Sequence, residues 1–261
     1  MKKLLDVMSA LRDPDKGCPW DIKQTLESII PYTLEEAYEV ADAIEQGDML
    51  ELKSELGDLL FQVVFYAQIA SEQKAFDFDD VVEAVSEKLI RRHPHVFANE
   101  QYEDDHSLNE AWEKAKAQER DKTSNVEKAL ILEGVASALP SLKRAQKLQK
   151  RAARVGFDWP DTAPVFDKID EEIQELKQAI QAQDQEAVRE EMGDLLFSCV
   201  NLSRKLNVDA EESLRACNKK FVNRFNYIEK TLDKNQQRFQ SKSLDELEAL
   251  WQAAKKNEQT Q

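Results

Sequence analysis

The sequence predicts an all-α fold arranged as two tandem copies of one helical-bundle domain. Only six glycines and seven prolines occur in 261 residues, so the many tight turns of a sheet protein have few residues to form them. Charged residues make up 33% of the chain, which is typical of long helices with solvated faces. The motif LGDLLF at positions 56–61 returns as MGDLLF at positions 192–197, which indicates a duplication.

Apolar residues spaced three and four apart predict amphipathic helices along much of the chain. The clearest segments are Leu34–Ile44, Leu52–Ile69, Val81–Ile90, Val165–Ile180, Ala187–Leu206 and Ser213–Leu232. No segment sustains the strict alternation of apolar and polar residues that a half-buried strand requires. These segments therefore predict helix bundles.

Further landmarks recur in the second half at nearly the same offset as this motif. The matched positions are Arg12 and Arg151, Gly17 and Gly156, Trp20 and Trp159, Lys88 and Lys220, Arg92 and Arg224, Trp112 and Trp251, and Lys116 and Lys255. The small drift between these pairs is expected if loops changed length while helices did not. We expect an N-terminal domain over residues 1–120, a C-terminal domain over residues 126–261, and a linker in the polar stretch at about 118–125.

Composition and charge narrow the class of protein. The formal net charge is −15, which disfavours nonspecific binding to nucleic acid because phosphates need a basic surface. The three cysteines, Cys18, Cys199 and Cys217, show no close spacing and fit a reducing compartment. No apolar run approaches the roughly 20 residues that span a bilayer, and the N-terminal stretch meets an acidic residue too soon for a signal peptide. We expect a soluble cytoplasmic protein without a nucleic-acid or membrane partner.

Four acidic side chains in each half are spaced to meet at one point. Glu36 and Glu39 lie three residues apart, so this pair projects from one face of its helix, and Glu55 and Asp58 do the same on the next helix. The stretch 46–48 between them, Gln-Gly-Asp, predicts a helix stop and restart that folds the two helices into an antiparallel hairpin. The equivalent acids of the second half are Glu172, Glu175, Glu191 and Asp194.

These acids are interleaved with apolar residues, so we expect them to be partly buried. Four like charges within several ångströms repel one another unless they protonate or a cation joins them. An all-oxygen set without a paired cysteine or histidine selects a hard ion, and the sequence therefore predicts Mg²⁺, with Mn²⁺ as the alternative. A lone Glu-x-x-Glu usually marks a solvated helix face, but its recurrence beside the same motif favours a metal site.

Basic residues four apart recur in both halves and form a fork that suits phosphate oxygens. The pairs are Lys88 with Arg92 and Lys220 with Arg224. A surface ion pair is the alternative use of each fork. Trp251 is predicted either to pack in the core or to stack on a base, and Lys255 follows it by one turn.

These motifs resemble the MazG-type nucleoside triphosphate pyrophosphohydrolases, whose signature is Glu-x-x-Glu followed by Glu-x-x-Asp. The two signatures here have the same internal spacing, since the gap from Glu39 to Glu55 equals the gap from Glu175 to Glu191. The resemblance also covers GCPWD at 17–21 and RRHPHVF at 91–97. It implies a Mg²⁺-dependent homodimer of helical bundles. Such a protein cleaves NTPs and dNTPs between the α and β phosphates, with broad base tolerance, and cleans the nucleotide pool.

The chemistry that the resemblance implies agrees with the residues. A metal ion held by the four acids would polarise the phosphates and activate a water for in-line attack. The basic forks would balance the charge that develops on pyrophosphate. The catalytic base toward the water is expected to be Glu172 or its neighbour Glu171, and the sequence leaves both open.

The two halves differ around their acids. The offset that superimposes LGDLLF at 56–61 on MGDLLF at 192–197 also aligns other positions. It places Lys168 against Tyr32, Glu171 against Glu35 and Arg189 against Lys53. We predict that Lys168, Glu171 and Arg189 bind substrate. We also predict that the second half carries most of the activity, because the first half lacks one cation that could meet the triphosphate. The alternative is that Lys168 only pairs with Glu172 on the helix surface.

Two other functions remain open. One is an acidic helical scaffold without catalytic activity, which does not explain why four acids keep identical spacing twice. The other is a narrower dUTP-type or phosphoribosyl-ATP-type pyrophosphohydrolase. A panel of substrates separates this second alternative from a broad enzyme, because those relatives are usually single-domain and selective.

Overall fold

A computed structural model describes residues 1–98 and 130–258, together with isolated positions between 100 and 119. It divides into two compact units, Met1–Thr123 and Ser124–Gln261. Every regular element in the described residues is helical, which confirms the predicted all-α class. Lys116 and the expected linker at 118–125, apart from Glu119, lie outside the described residues, so the expected domain boundaries stay predictions.

The first unit is organised around a long helical hairpin. Its described helices are α1 (Lys2–Leu11), α2 (Pro19–Ile22), α3 (Leu26–Gln46), α4 (Met49–Glu72), α5 (Phe78–Arg92) and α6 (Pro94–Phe97). The core lies where α1, α3 and α4 meet, and its buried side chains are Met8, Ile29, Val64, Phe65 and Ile69. Phe65 is fully buried and contacts the ring of Phe61 edge to face. The hairpin is thus anchored by the half of α4 that follows the acids.

Local signals explain where the hairpin turns. α3 begins at a capping box, in which the Thr25 hydroxyl accepts from the Ser28 N–H and the Ser28 hydroxyl accepts from the Thr25 N–H. It ends at Gly47, whose φ of 74° lies in the left-handed region that glycine favours. Asp48 then caps α4 by accepting from two backbone N–H groups of its first turn. The predicted helix stop and restart at 46–48 is confirmed.

The second unit repeats this plan. Its described helices are α7 (Ser141–Arg154), α8 (Ala163–Ala182), α9 (Gln185–Lys205), α10 (Ala210–Lys234) and α11 (Leu244–Glu258), with a 3₁₀ turn at Phe239–Ser241. α8 and α9 form the equivalent hairpin, and Asp184 caps α9 as Asp48 caps α4. Gln183 takes the left-handed position with φ 58°, so here a residue with a side chain replaces the glycine. No helix in the described ranges is both long and apolar enough to cross a bilayer.

Candidate metal and phosphate site

Three acidic side chains converge across the hairpin in each unit. In the first unit, carboxylate oxygens of Glu36, Glu39 and Glu55 all lie within 4.8 Å of one another. The second unit brings together the same positions of the repeat, Glu172, Glu175 and Glu191, within the same distance. Two of the three come from the first helix of the hairpin and the third from its second helix. One ion could therefore bind all three side chains at once.

Asp58 and Asp194 stand beside these sets of three. Partial removal from water raises the pKa of Glu36, and the negative charges of Asp58 and Glu39 raise it further. Desolvation likewise raises the pKa of Glu191, with added repulsion from Glu175, Glu172 and Asp194. All four predicted acids of each unit thus belong to one electrostatic group. A cation among them would remove the repulsion.

The donors fit a hard divalent ion. Both sets consist of carboxylates alone, and oxygen ligands are those that Mg²⁺ and Mn²⁺ prefer. In the first unit, the buried Gln62 donates from Nε2 to Glu36 Oε1 at 3.4 Å. The Oε1 atom of Gln62 is buried and has no hydrogen-bond partner among the described residues. Buried polar atoms are normally satisfied, so this oxygen beside the acids is consistent with a ligand that binds there.

The second unit places a lysine on its acids. Lys168 Nζ lies 2.8 Å from Glu172 Oε1 and 3.0 Å from Glu171 Oε1. Glu172 is only 3% exposed, and its hydrogen bond to Lys168, with that of Glu171, raises the lysine pKa. The ion pair that the sequence offered as an alternative is therefore present. Lys168 still keeps a third of its side chain exposed, so the pair leaves it accessible to a phosphate.

The first unit fills the equivalent space differently. Tyr32 stands where the second unit has Lys168, and its ring packs edge to face on Trp20 with centroids 5.7 Å apart. Glu36, the counterpart of Glu172, receives the neutral amide of Gln62 instead of an ammonium group. The position of Gln62 corresponds to Ser198 in the second unit. The two sites thus share their acids but differ in charge next to them.

The predicted basic forks lie on α5 and α10, and each arginine has an acidic partner that sequence reasoning missed. Arg224 donates from Nε to Glu258 Oε2 at 2.9 Å, and its Nη2 lies 2.8 Å from the same oxygen in an ion pair. Arg92 makes the same type of pair with Glu119. Hydrogen bonds from Arg92 and then Arg91 lower the pKa of Glu119 to about 2. Each glutamate follows a repeated tryptophan by two helical turns, and that shared spacing is the signal that could have revealed them.

The basic and aromatic residues of the second unit contact one another rather than the acids. The Arg224 guanidinium lies 5.4 Å from the centroid of the Trp251 ring, and α10 packs on α7 and α11. Within residues 130–258, no hydrogen bond or ion pair joins Lys220, Arg224 or Trp251 to the acids between α8 and α9. The other residues predicted to bind substrate lie on several helices. Arg189 is exposed on α9, Lys220 on α10 and Lys255 on α11, and Lys88 is half-buried on α5.

A comparison with known protein families finds the same domain in both halves of the chain. A family model described as the MazG nucleotide pyrophosphohydrolase domain matches residues 24–97 and again residues 165–229. Each match contains one of the two carboxylate hairpins.

Several known proteins are similar in sequence to this chain, two of them over nearly its whole length. The nucleoside triphosphate pyrophosphohydrolase of Escherichia coli (strain K12) is 48% identical over 260 residues, which cover 98% of this chain and 97% of that protein. The nucleoside triphosphate pyrophosphohydrolase/pyrophosphatase MazG of Thermotoga maritima is 44% identical over 259 residues, covering 99% and 97%. A nucleoside triphosphate pyrophosphohydrolase of Mycobacterium tuberculosis is 37% identical over 158 residues, covering 60% and 46%. The resemblance predicted from the motifs is confirmed, and the chain belongs to the MazG family of nucleotide pyrophosphohydrolases, whose domain it carries twice.

Proposed function

We propose that this chain hydrolyses nucleoside triphosphates to monophosphates and pyrophosphate, with a divalent metal ion bound by the acids of its helical hairpins. The observation that carries the proposal is the meeting of three carboxylates within 4.8 Å in each unit. Relatives that match nearly the whole chain are named for this activity. An acidic scaffold without activity has no use for acids that repel one another at the same place in both units.

Mg²⁺ is the proposed ion, and Mn²⁺ is the alternative. Glu172, Glu175, Glu191 and Asp194 would hold it in the second unit. When bound, such an ion polarises phosphate oxygens and lowers the pKa of a bound water. These four acids and their counterparts in the first unit, Glu36, Glu39, Glu55 and Asp58, are the ligands we propose.

Glu171 suits the role of base better than Glu172. Glu172 is buried and belongs to the set of three converging acids, so a cation would occupy its carboxylate. Glu171 lies outside that set, and its side chain is 55% exposed. Lys168 donates to one Glu171 oxygen and so fixes the carboxylate at the edge of the site, where the other oxygen can accept a proton from water.

The basic group on α10 and α11 would receive the phosphates and the base. Lys220 and Arg224 would contact phosphate oxygens, and Trp251 offers an aromatic face to the nucleobase. Lys255, together with Arg189 on α9, adds exposed positive charge for the polyanionic substrate. Lys88 and Arg92 would have the same role in the first unit. Broad tolerance toward bases is expected, because stacking does not read the edge of a base.

Release of pyrophosphate is the direct test of this function. Incubation with GTP and Mg²⁺ should yield GMP and pyrophosphate, so orthophosphate should appear only after inorganic pyrophosphatase is added. GDP with orthophosphate would overturn the assignment. A panel of all common NTPs and dNTPs, with dUTP and phosphoribosyl-ATP included, should show turnover of several bases. Activity confined to one of the last two substrates would replace the broad function with the narrow one.

The exposed apolar surface of the second hairpin supports a homodimer. Phe166, Ile180, Met192, Leu196 and Phe197 on α8 and α9 each leave more than two fifths of their surface exposed. Large exposed apolar patches mark association surfaces, and these five side chains lie on the two helices of one hairpin. We expect sedimentation equilibrium to give twice the chain mass of 30.0 kDa. A mass of one chain at micromolar concentration would contradict this assembly. The cytoplasm, proposed from cysteine usage, is where NTPs are available to such an enzyme.

A further inference from the structure

We propose that Glu258 is a positioning residue, which holds the Arg224 guanidinium in one orientation and leaves its outer edge to bind a phosphate of the substrate. This inference rests on the proposed function and adds a residue to it. Glu258 itself would touch neither substrate nor metal. Its effect would pass entirely through Arg224.

The geometry fixes the arginine from two sides. Glu258 Oε2 accepts from Nε of Arg224 at 2.9 Å and lies 2.8 Å from Nη2 in an ion pair. The guanidinium also lies over Trp251, and the Trp251 ring contacts Phe221 with centroids 5.3 Å apart. Trp251 and Glu258 are two turns apart on α11, so they share one face of that helix. Arg224 lies between them.

Arg224 keeps donor groups that Glu258 does not engage. A guanidinium has five N–H groups, and Glu258 lies on the Nε side, where it accepts from Nε and pairs with Nη2. Nη1 has no acceptor among the described residues. Arg224 and Glu258 line a surface pocket between α10 and α11, together with Asn223, Lys230 and Asn257. The free edge can therefore form the paired hydrogen bonds that arginine makes with phosphate.

An arginine–glutamate pair at the equivalent position occurs in the first unit, where Glu119 is shared with Arg91. Arg92 pairs with Glu119, and Glu119 follows Trp112 at the same spacing as Glu258 follows Trp251. Partly exposed ion pairs add little to stability, so stability alone gives little reason for this pair to recur. Ordering an arginine before its ligand arrives reduces the entropy that binding must otherwise lose. Preorganisation accounts for a glutamate at the same place in both units.

The test replaces Glu258 in the full chain and compares steady-state kinetics with GTP and Mg²⁺. Glu258→Gln should raise KM about three- to tenfold, the cost of ordering one flexible side chain on binding, and change kcat little. Glu258→Asp keeps the charge and should recover part of the affinity. Glu248→Gln is the matched control, because Glu248 is exposed on the same helix and the charge change is identical. This control should leave KM unchanged.

A double-mutant cycle separates positioning from a structural role. In an Arg224→Ala background, Glu258→Gln should have no further effect on KM, because the group through which it acts is gone. An equal rise of KM in that background would overturn the proposal. An unchanged or lowered KM for Glu258→Gln alone would overturn it as well, and a lowered KM would mean that the carboxylate competes with the phosphate.

Binding of inorganic pyrophosphate, measured by calorimetry, distinguishes failure of this inference from failure of the proposed function. Glu258→Gln should weaken pyrophosphate binding by the same factor as it raises KM. Without pyrophosphate release from NTPs by the wild-type chain, the proposed function would fall, and the inference would be judged on pyrophosphate affinity alone. Normal affinity in Glu258→Gln, or no binding by the wild type, would overturn the inference.

Discussion

Replacing Glu172 and Glu175 together with alanine should remove most of the pyrophosphate release, whereas replacing Glu36 and Glu39 together should leave most of it. The reason is the charge beside the acids. Lys168 lies within 3.0 Å of two acids in the second unit, and the first unit has Tyr32 at that position. One charge-assisted phosphate contact contributes about 1.5–3 kcal/mol, which corresponds to roughly a tenfold to hundredfold difference in rate or affinity.

The expected ratio between the activities of the two sites sets how much turnover each variant should lose. If the second site is about ten to a hundred times more active, the first-unit double variant should lose at most about a tenth of the turnover. Both variants should remain folded, because each removes acids that repel their neighbours; circular dichroism and melting curves check this. If the first-unit variant lost most of the activity and the second-unit variant kept it, the asymmetry would be reversed. The Lys168 ion pair would then have a structural role only.

Chelation of divalent ions should abolish turnover, and added Mg²⁺ should restore it. In each unit three carboxylates lie within 4.8 Å of one another and offer only oxygen ligands. Among the described residues of the first unit, the one side chain seen to donate to Glu36 is the amide of Gln62. Neither Lys168 nor Gln62 can balance four acids, so the charge that the triphosphate adds requires a metal ion. Full turnover in excess EDTA would exclude the metal mechanism.

A nucleotide-free measurement separates metal bound by the protein from metal carried by the substrate. Mg²⁺ at a hundredfold excess over its dissociation constant stabilises the folded state by about 2.7 kcal/mol, so the melting temperature should rise. The rise should shrink in the Glu172→Ala, Glu175→Ala variant, which lacks two of the proposed ligands of the second unit. An equal rise in that variant would place the bound ion elsewhere.

Much of this protein is encoded in local sequence signals. Glu36 and Glu39 share a helix face because they are three residues apart, and Gly47 with Asp48 ends one helix and starts the next. These relations span a few residues and hold whatever the remainder of the chain does. Repetition of the pattern in the second half then identified the hairpins, the acids and the family. Fold class and the candidate metal ligands were therefore predictable from the sequence by itself.

Local signals were less informative about where the helices begin and end. Pro31 lies inside α3, and the helix begins at Leu26, well before the predicted segment at Leu34. A proline inside a helix removes one hydrogen bond. The helix is nevertheless continuous, because the Thr25 capping box starts it and Ile29 is buried in the core of the first unit.

Only the tertiary structure decided which side chains meet across helices. It paired Arg224 with Glu258 and Arg92 with Glu119, and it brought Gln62 to Glu36. The ion pair between Lys168 and the buried Glu172, one turn apart on the same helix, is also present, and a third of the lysine side chain stays exposed. The spacing from Trp112 and Trp251 marks the positions of Glu119 and Glu258, but it does not select their arginine partners, because a long side chain can reach several partners. The packing of neighbouring helices determines which partner lies within hydrogen-bonding distance.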